Sequence, residues 1–172
     1  MEKSGHTPSG EELKAIFAKA RTYQKQKMRT FVFETKMMGR KNIARTVAVS
    51  EGINLYEFAE IIVGVYRFDF DHCFGFFSNV TSEGSYLDSD KSFELFADLA
   101  EEGEDIEPVE SLPVKNTYIN EVWGKIGDQM MFVFDYGDDW RFSVTLVAEG
   151  NKIAPSLPIV LKSIGKAPKQ YA

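Results

Sequence analysis

The chain has a single cysteine, Cys73, and only two histidines, His6 and His72. One thiol cannot close an internal disulfide, and it cannot build a zinc knuckle, which takes several Cys or His ligands. Two imidazoles nearly exclude a multi-histidine metal centre within one chain. Long apolar runs are also missing. A membrane helix needs about 20 consecutive apolar residues, whereas one of the longest runs here covers only Ile61 to Tyr66. The opening MEKSGHTPSG has no apolar segment of the kind a secretory signal carries. These absences point to a cytoplasmic protein without a membrane attachment. An excess of positive charge is absent too. Twenty Lys and Arg face 26 Asp and Glu, and the pI is near 5.0. That makes nucleic acid an unfavoured partner, because phosphate neutralisation needs a net basic face.

What remains is ample for one folded domain. Of the 172 residues, 44% are hydrophobic and 27% charged, a balance that supports a packed core and excludes global disorder. Charge is unevenly spread. Residues 1–41 carry ten Lys and Arg against four acids, and residues 83–110 carry eleven acids and one lysine. Lys14, Lys19, Arg21, Lys25, Lys27 and Arg29 read as a solvated helix face.

Three parts are expected: a flexible tail over 1–8, an N-terminal helical appendage over 9–27, and a single domain over 28–172. Ser9 followed by Glu12 is a capping box, and Leu13, Ile16, Phe17 and Ala20 share a face. They predict a helix over about 10–26. The period then shortens to two. Phe31, Phe33, Thr35 and Met37, then Ile43, Arg45, Val47 and Val49, read as a hairpin about a Gly39–Asn42 turn. Asn54 caps a second helix whose stripe runs Leu55, Phe58, Ala59, Ile62, Val65 and Tyr66. His72 to Val80 reads as a strand interrupted by Gly75, and Phe93 to Leu99 and Tyr118 to Trp123 as short helices. Met130 to Tyr136 and Trp140 to Ala148 form the clearest hairpin, joined by Gly and Asp. Ile159 to Leu161 is a short edge strand. This order lacks the alternation of a doubly wound sheet. It implies an α+β fold, a mostly antiparallel sheet packed on one face by helices as a two-layer sandwich.

The densest polar feature is Asp135-Tyr136-Gly137-Asp138-Asp139-Trp140-Arg141. Clustered carboxylates suit a hard divalent cation such as Mg or Mn, with Asp69 or Asp71 as opposing ligands. The structural reading is that Asp and Gly shape the turn, Trp140 packs in the core, and Arg141 pairs with a nearby Asp. His72 is a candidate partner for the Asp138/Asp139 turn. It makes a poor dyad with Cys73, since neighbours on a strand face opposite ways. Arg45, on an otherwise apolar strand, suits a strand-face ion pair better than an anion hook.

The Asp135-to-Trp140 segment resembles the Asp-Phe-Gly-Asp-Asp-Trp signature of the Ri-plasmid ORF-three-like family, whose members include insertion-element passenger proteins labelled TnpR. Leu55, Phe58 to Ile62 and Phe68-Asp69-Phe70-Asp71-His72 resemble its helix and the strand after it. Gly165-Lys166-Ala167-Pro168-Lys169-Gln170-Tyr171 is similar to a C-terminal run of some members. The resemblance spans about 28–171, with the helix at 10–26 outside. Departures are Phe142 where many members have histidine, Ala44-Arg45 in place of a Trp-Arg-Arg run, and no Cys- and Pro-rich segment. The resemblance implies a compact cytoplasmic α+β domain.

Two functions are expected. The first is a non-enzymatic module without a cofactor, binding a protein or peptide through His72, Asp135, Asp138, Asp139, Trp140 and Arg141, with Arg45 as a further candidate. The alternative is a divalent-metal enzyme acting on phosphate esters or nucleic acid through Asp135, Asp138 and Asp139.

Overall fold

The structure, a computed structural model, describes residues 9–16, 29–151 and 157–171. The expected tail over 1–8, and the part of the first helix beyond residue 16 up to Arg29, lie outside the described residues. Residues 10–16 are helical (α1), and the Glu12 amide donates to Ser9 Oγ at 3.2 Å as the capping pattern requires.

Among the described residues, seven strands form one sheet: β1 (Thr30–Met37), β2 (Ala44–Ser50), β3 (Phe74–Phe77), β4 (Ser92–Glu94), β5 (Gln129–Phe134), β6 (Trp140–Gly150) and β7 (Ile159–Ile164). Their order is β4-β3-β5-β6-β1-β2-β7, and each strand pairing is antiparallel. Three further helices accompany it: α2 (Leu55–Val65), α3 (Leu95–Glu101) and α4 (Ile119–Val122). The architecture is α+β.

The expected hairpins form. β1 turns into β2 through Gly39 and Asn42, both at positive φ. Alternation puts Phe31, Phe33 and Thr35 directly opposite Val49, Val47 and Arg45. Cross-strand partners share a face, so Arg45 ends the apolar stripe. α2 starts at Asn54, whose Oδ1 accepts from the Glu57 amide at 2.8 Å. It buries Leu55, Phe58, Ala59, Ile62 and Val63. Phe58 lies 4.6 Å from Phe33 and 5.5 Å from Trp123, ring centre to ring centre. The Trp123 indole donates to the Val144 carbonyl at 3.1 Å, so the largest core side chain leaves no polar atom stranded.

The opposite sheet face carries a smaller cluster of Phe77, Met131 and Val133. Tyr86, from the loop after β3, covers Phe77 at 4.6 Å. Arg141 fastens that loop by donating to the carbonyls of Thr81 and Gly84, with its guanidinium 5.0 Å over the Tyr86 ring.

Three local expectations need correction. His72 precedes β3, which starts only at Phe74. The Phe93-to-Leu99 helix is divided, because Ser92–Glu94 pairs with β3 before α3 begins. Finally, β7 runs to Ile164 because β2 offers it a partner edge that far.

Candidate functional site

The β5–β6 turn is held by its own first aspartate. Asp135 and Asp139 both have positive φ, a conformation that short polar side chains tolerate. The Asp139 amide donates to the Asp135 carbonyl at 2.6 Å. Asp135 Oδ1 accepts from the amides of Gly137 at 3.1 Å and Asp138 at 3.3 Å. Its own amide donates to the Cys73 carbonyl at 2.9 Å, which ties the turn to the segment before β3.

This tie brings His72 to the other carboxylate oxygen. His72 Nε2 lies 3.3 Å from Asp135 Oδ2 and 2.8 Å from Tyr171 Oη, with Asp71 Oδ1 at 3.6 Å. Tyr171 donates its proton to Asp71 Oδ2 at 2.5 Å. A phenol has one proton, so Tyr171 Oη must accept from His72, and Nε2 therefore carries a hydrogen. Gln170 locks the arrangement. Its Oε1 accepts from the Asp69 amide at 2.6 Å, and its Nε2 donates to the Asp69 carbonyl at 3.0 Å and Asp71 Oδ1 at 3.3 Å. The hydrogen bond from Tyr171 holds the Asp71 carboxyl below the usual carboxylate range. The same bond pushes the Tyr171 phenol up to about 12.

Behind the turn, Tyr136 donates to Glu94 Oε1 at 2.7 Å, and Ser111 donates to Glu94 Oε2 at 2.6 Å. Burial, then the Glu94 charge, pushes the Tyr136 phenol far up. Gly75 is required here: a Cβ would sit 2.8 Å from Tyr136 Oη. Cys73 is a poor nucleophile, since burial pushes its thiol up.

The remaining candidates do not join this cluster. Asp139 accepts from Arg141 Nε at 2.9 Å, and Asp138 is exposed with no side-chain bond among the described residues. His72 thus meets Asp135 rather than Asp138 and Asp139. Trp140 is half-buried against Phe68, with ring centres 4.9 Å apart. Arg45 forms no ion pair among the described residues. Its Nη1 donates to the carbonyls of Ala44 and Ile164 at 2.8 Å each, and its Nε to that of Val65 at 3.4 Å. Among the described residues, no three His, Cys, Asp or Glu side chains are grouped to hold a metal ion. Tyr171 and Gln170 escaped sequence reasoning as site residues. Their signal was the C-terminal run itself, which motif likeness marks and local patterning does not.

Fold and site together define a class: an α+β domain on one antiparallel sheet, with a polar histidine cluster where its last residues reach a hairpin turn. The chain belongs to the plasmid pRiA4b ORF-3-like protein family, which it matches over residues 11–170. The match takes in the described helical segment that was expected to lie outside it. The fold is also similar to the crystal structure of a protein of unknown function from Methanosarcina mazei Go1. That likeness has a TM-score of 0.62 at 17% identity and covers 81% of this chain and 71% of that one. At such identity it shows the fold alone. No curated protein matches the chain.

Proposed function

We propose that this chain is a non-enzymatic interaction domain that binds a protein or peptide through the surface formed by Asp71, His72, Tyr171 and the 135–141 turn. One observation carries the reading: the groups best suited to catalysis are consumed in shaping the turn. Asp135 caps two amides, and Asp139 and Arg141 bind each other. Asp71, His72 and Asp138 are among the side chains left exposed, a surface suited to a segment that offers Lys or Arg. The cytoplasmic setting and the link to mobile elements belong to this proposal and rest on the family resemblance alone.

The test is chemical cross-linking in native lysate, comparing the wild-type chain with His72→Ala and Asp138→Lys. A partner captured by the wild type and lost from both folded variants supports the proposal. A reproducible partner retained by both, or none at all, sinks it. The metal-enzyme alternative draws less support, since the carboxylates it needs do not converge among the described residues. Stoichiometric heat on titration with magnesium or manganese would restore it.

A further inference from the structure

A cleft adjoins the histidine cluster, with Gln170 common to both. Between the C-terminal end of α2 and the run 163–170 is a cleft of about 730 Å³, within the size range of small-ligand pockets. Arg45, Arg67, Lys166 and Lys169 line it together with the Ser163 hydroxyl, and no Asp or Glu is among its lining residues. We propose that this cleft binds a small molecule bearing a phosphate group.

Arg45 supplies the base. It is only 8% exposed, and three bonds to backbone carbonyls and the Tyr66 ring 5.0 Å away hold its guanidinium in place. Its Nη2 has no partner among the described residues. The one partnerless side-chain nitrogen or oxygen sealed from solvent there is Trp140 Nε1, so Nη2 is not sealed, and Arg45 is among the residues lining the cleft. A guanidinium fixed this way needs no reordering to meet an oxyanion.

The rim adds charge that the protein does not neutralise. Arg67, Lys166 and Lys169, like several other exposed cations, make no ion pair among the described residues, and here they gather around one cleft. The helix end does not substitute for one. The Gly64 and Val63 carbonyls already accept from the Arg67 and Phe68 amides, and Val65 accepts from Arg45. Four cations around one cleft repel each other, and a bound dianion would relieve that repulsion. Val65, Val160, Ala167 and Pro168 leave apolar wall for an organic body. The limited volume of the cleft and the net acidity of the chain favour a small molecule over a nucleic acid.

The experiment is calorimetric titration of the full chain with ribose 5-phosphate, inorganic phosphate, citrate, ribose and a short oligonucleotide. Ribose 5-phosphate should bind with a Kd of ~1 mM or tighter, inorganic phosphate more weakly, and ribose not at all. Lys166→Ala combined with Lys169→Ala, both exposed positions, should weaken ester binding about tenfold, the loss of two charge-assisted contacts. Arg45→Met should abolish it. Because Arg45 also ties down carbonyls, amide shifts of Ser163 to Gln170 in the wild type provide a readout free of that variant. Silence up to ~10 mM ester, unchanged binding by the double variant, or shifts away from this run would each overturn the proposal. Citrate or the oligonucleotide binding more tightly than the ester would overturn it as well. The site and the histidine cluster can fail independently.

Discussion

Two regions joined by the run 165–171 treat charge in opposite ways. At the 135–141 turn, nearly every charged group is spent locally: Asp135 on turn amides and His72, Asp139 on Arg141, and Arg141 also on two loop carbonyls. At the cleft, Arg45 is spent only in part, and Arg67, Lys166 and Lys169 have no acid partner among the described residues. The acidic string is conspicuous in the sequence, and the basic group is scattered over more than a hundred residues. Density of charge along the chain therefore does not show which charges the fold leaves free. What matters is whether the fold has left a charge without a partner, because an unspent charge is available to a ligand.

The contrast can be broken most severely at the segment that joins the regions. Gly165 has φ +72°, and a Cβ there would collide with the Asn42 carbonyl oxygen. Gly165→Ala should cost about 3 kcal/mol, as strain and overpacking combine, and should disturb both regions at once. Urea denaturation measures the loss, and a loss below ~0.5 kcal/mol would mean that the run is not anchored there.

The next test separates structural from outward acids within the turn. Asp135→Ala should lower stability by about 2 kcal/mol, because two turn amides and His72 lose their acceptor. Asp138→Ala should stay within ~0.5 kcal/mol. Equal effects in thermal unfolding would show that the turn is built otherwise.

The cleft should respond differently. Lys166→Ala with Lys169→Ala should leave stability within ~0.5 kcal/mol, or raise it slightly as repulsion falls. A clear loss in the same denaturation assay would make those charges structural and erase the distinction.

The smallest effect is in titration. The folded Tyr171 phenol lies at about 12, above its ordinary 10.0. Its contribution to stability is therefore complete below pH 10 and lost as pH rises through about 12. Asp71 mirrors it: held below its ordinary 3.8, it contributes above that pH and ceases to as pH falls through its lowered value. Tyrosinate absorbance should show a step near pH 12 from Tyr171 and Tyr66, the latter pushed up by burial. Tyr171→Phe should remove part of that step and leave the Tyr66 part. An unchanged step would break the Asp71–Tyr171 bond as a description.

Local patterning read well wherever neighbours in sequence are neighbours in space. The β1–β2 and β5–β6 hairpins and the α2 stripe are of this kind, since period and turn chemistry act over a few residues. It misread β4, whose three residues overlap an apolar pattern that continues into α3. The structural reading of the turn was accessible because Asp and Gly act within that same short range. Among the described residues the expected Arg45 ion pair does not form, because its partners there are carbonyls supplied by α2, β2 and β7.

By itself the sequence determined the α+β class, the hairpins and the chemical character of each segment, because residue type and periodicity control local hydrogen bonding and which face is apolar. Only the tertiary structure decided that β1 lies between β2 and β6, that Tyr171 reaches His72 across 99 residues, and that Arg45 shares a cleft with Lys166 and Lys169. Those meetings depend on how sheet edges and the helix end close upon one another, and no local period records that.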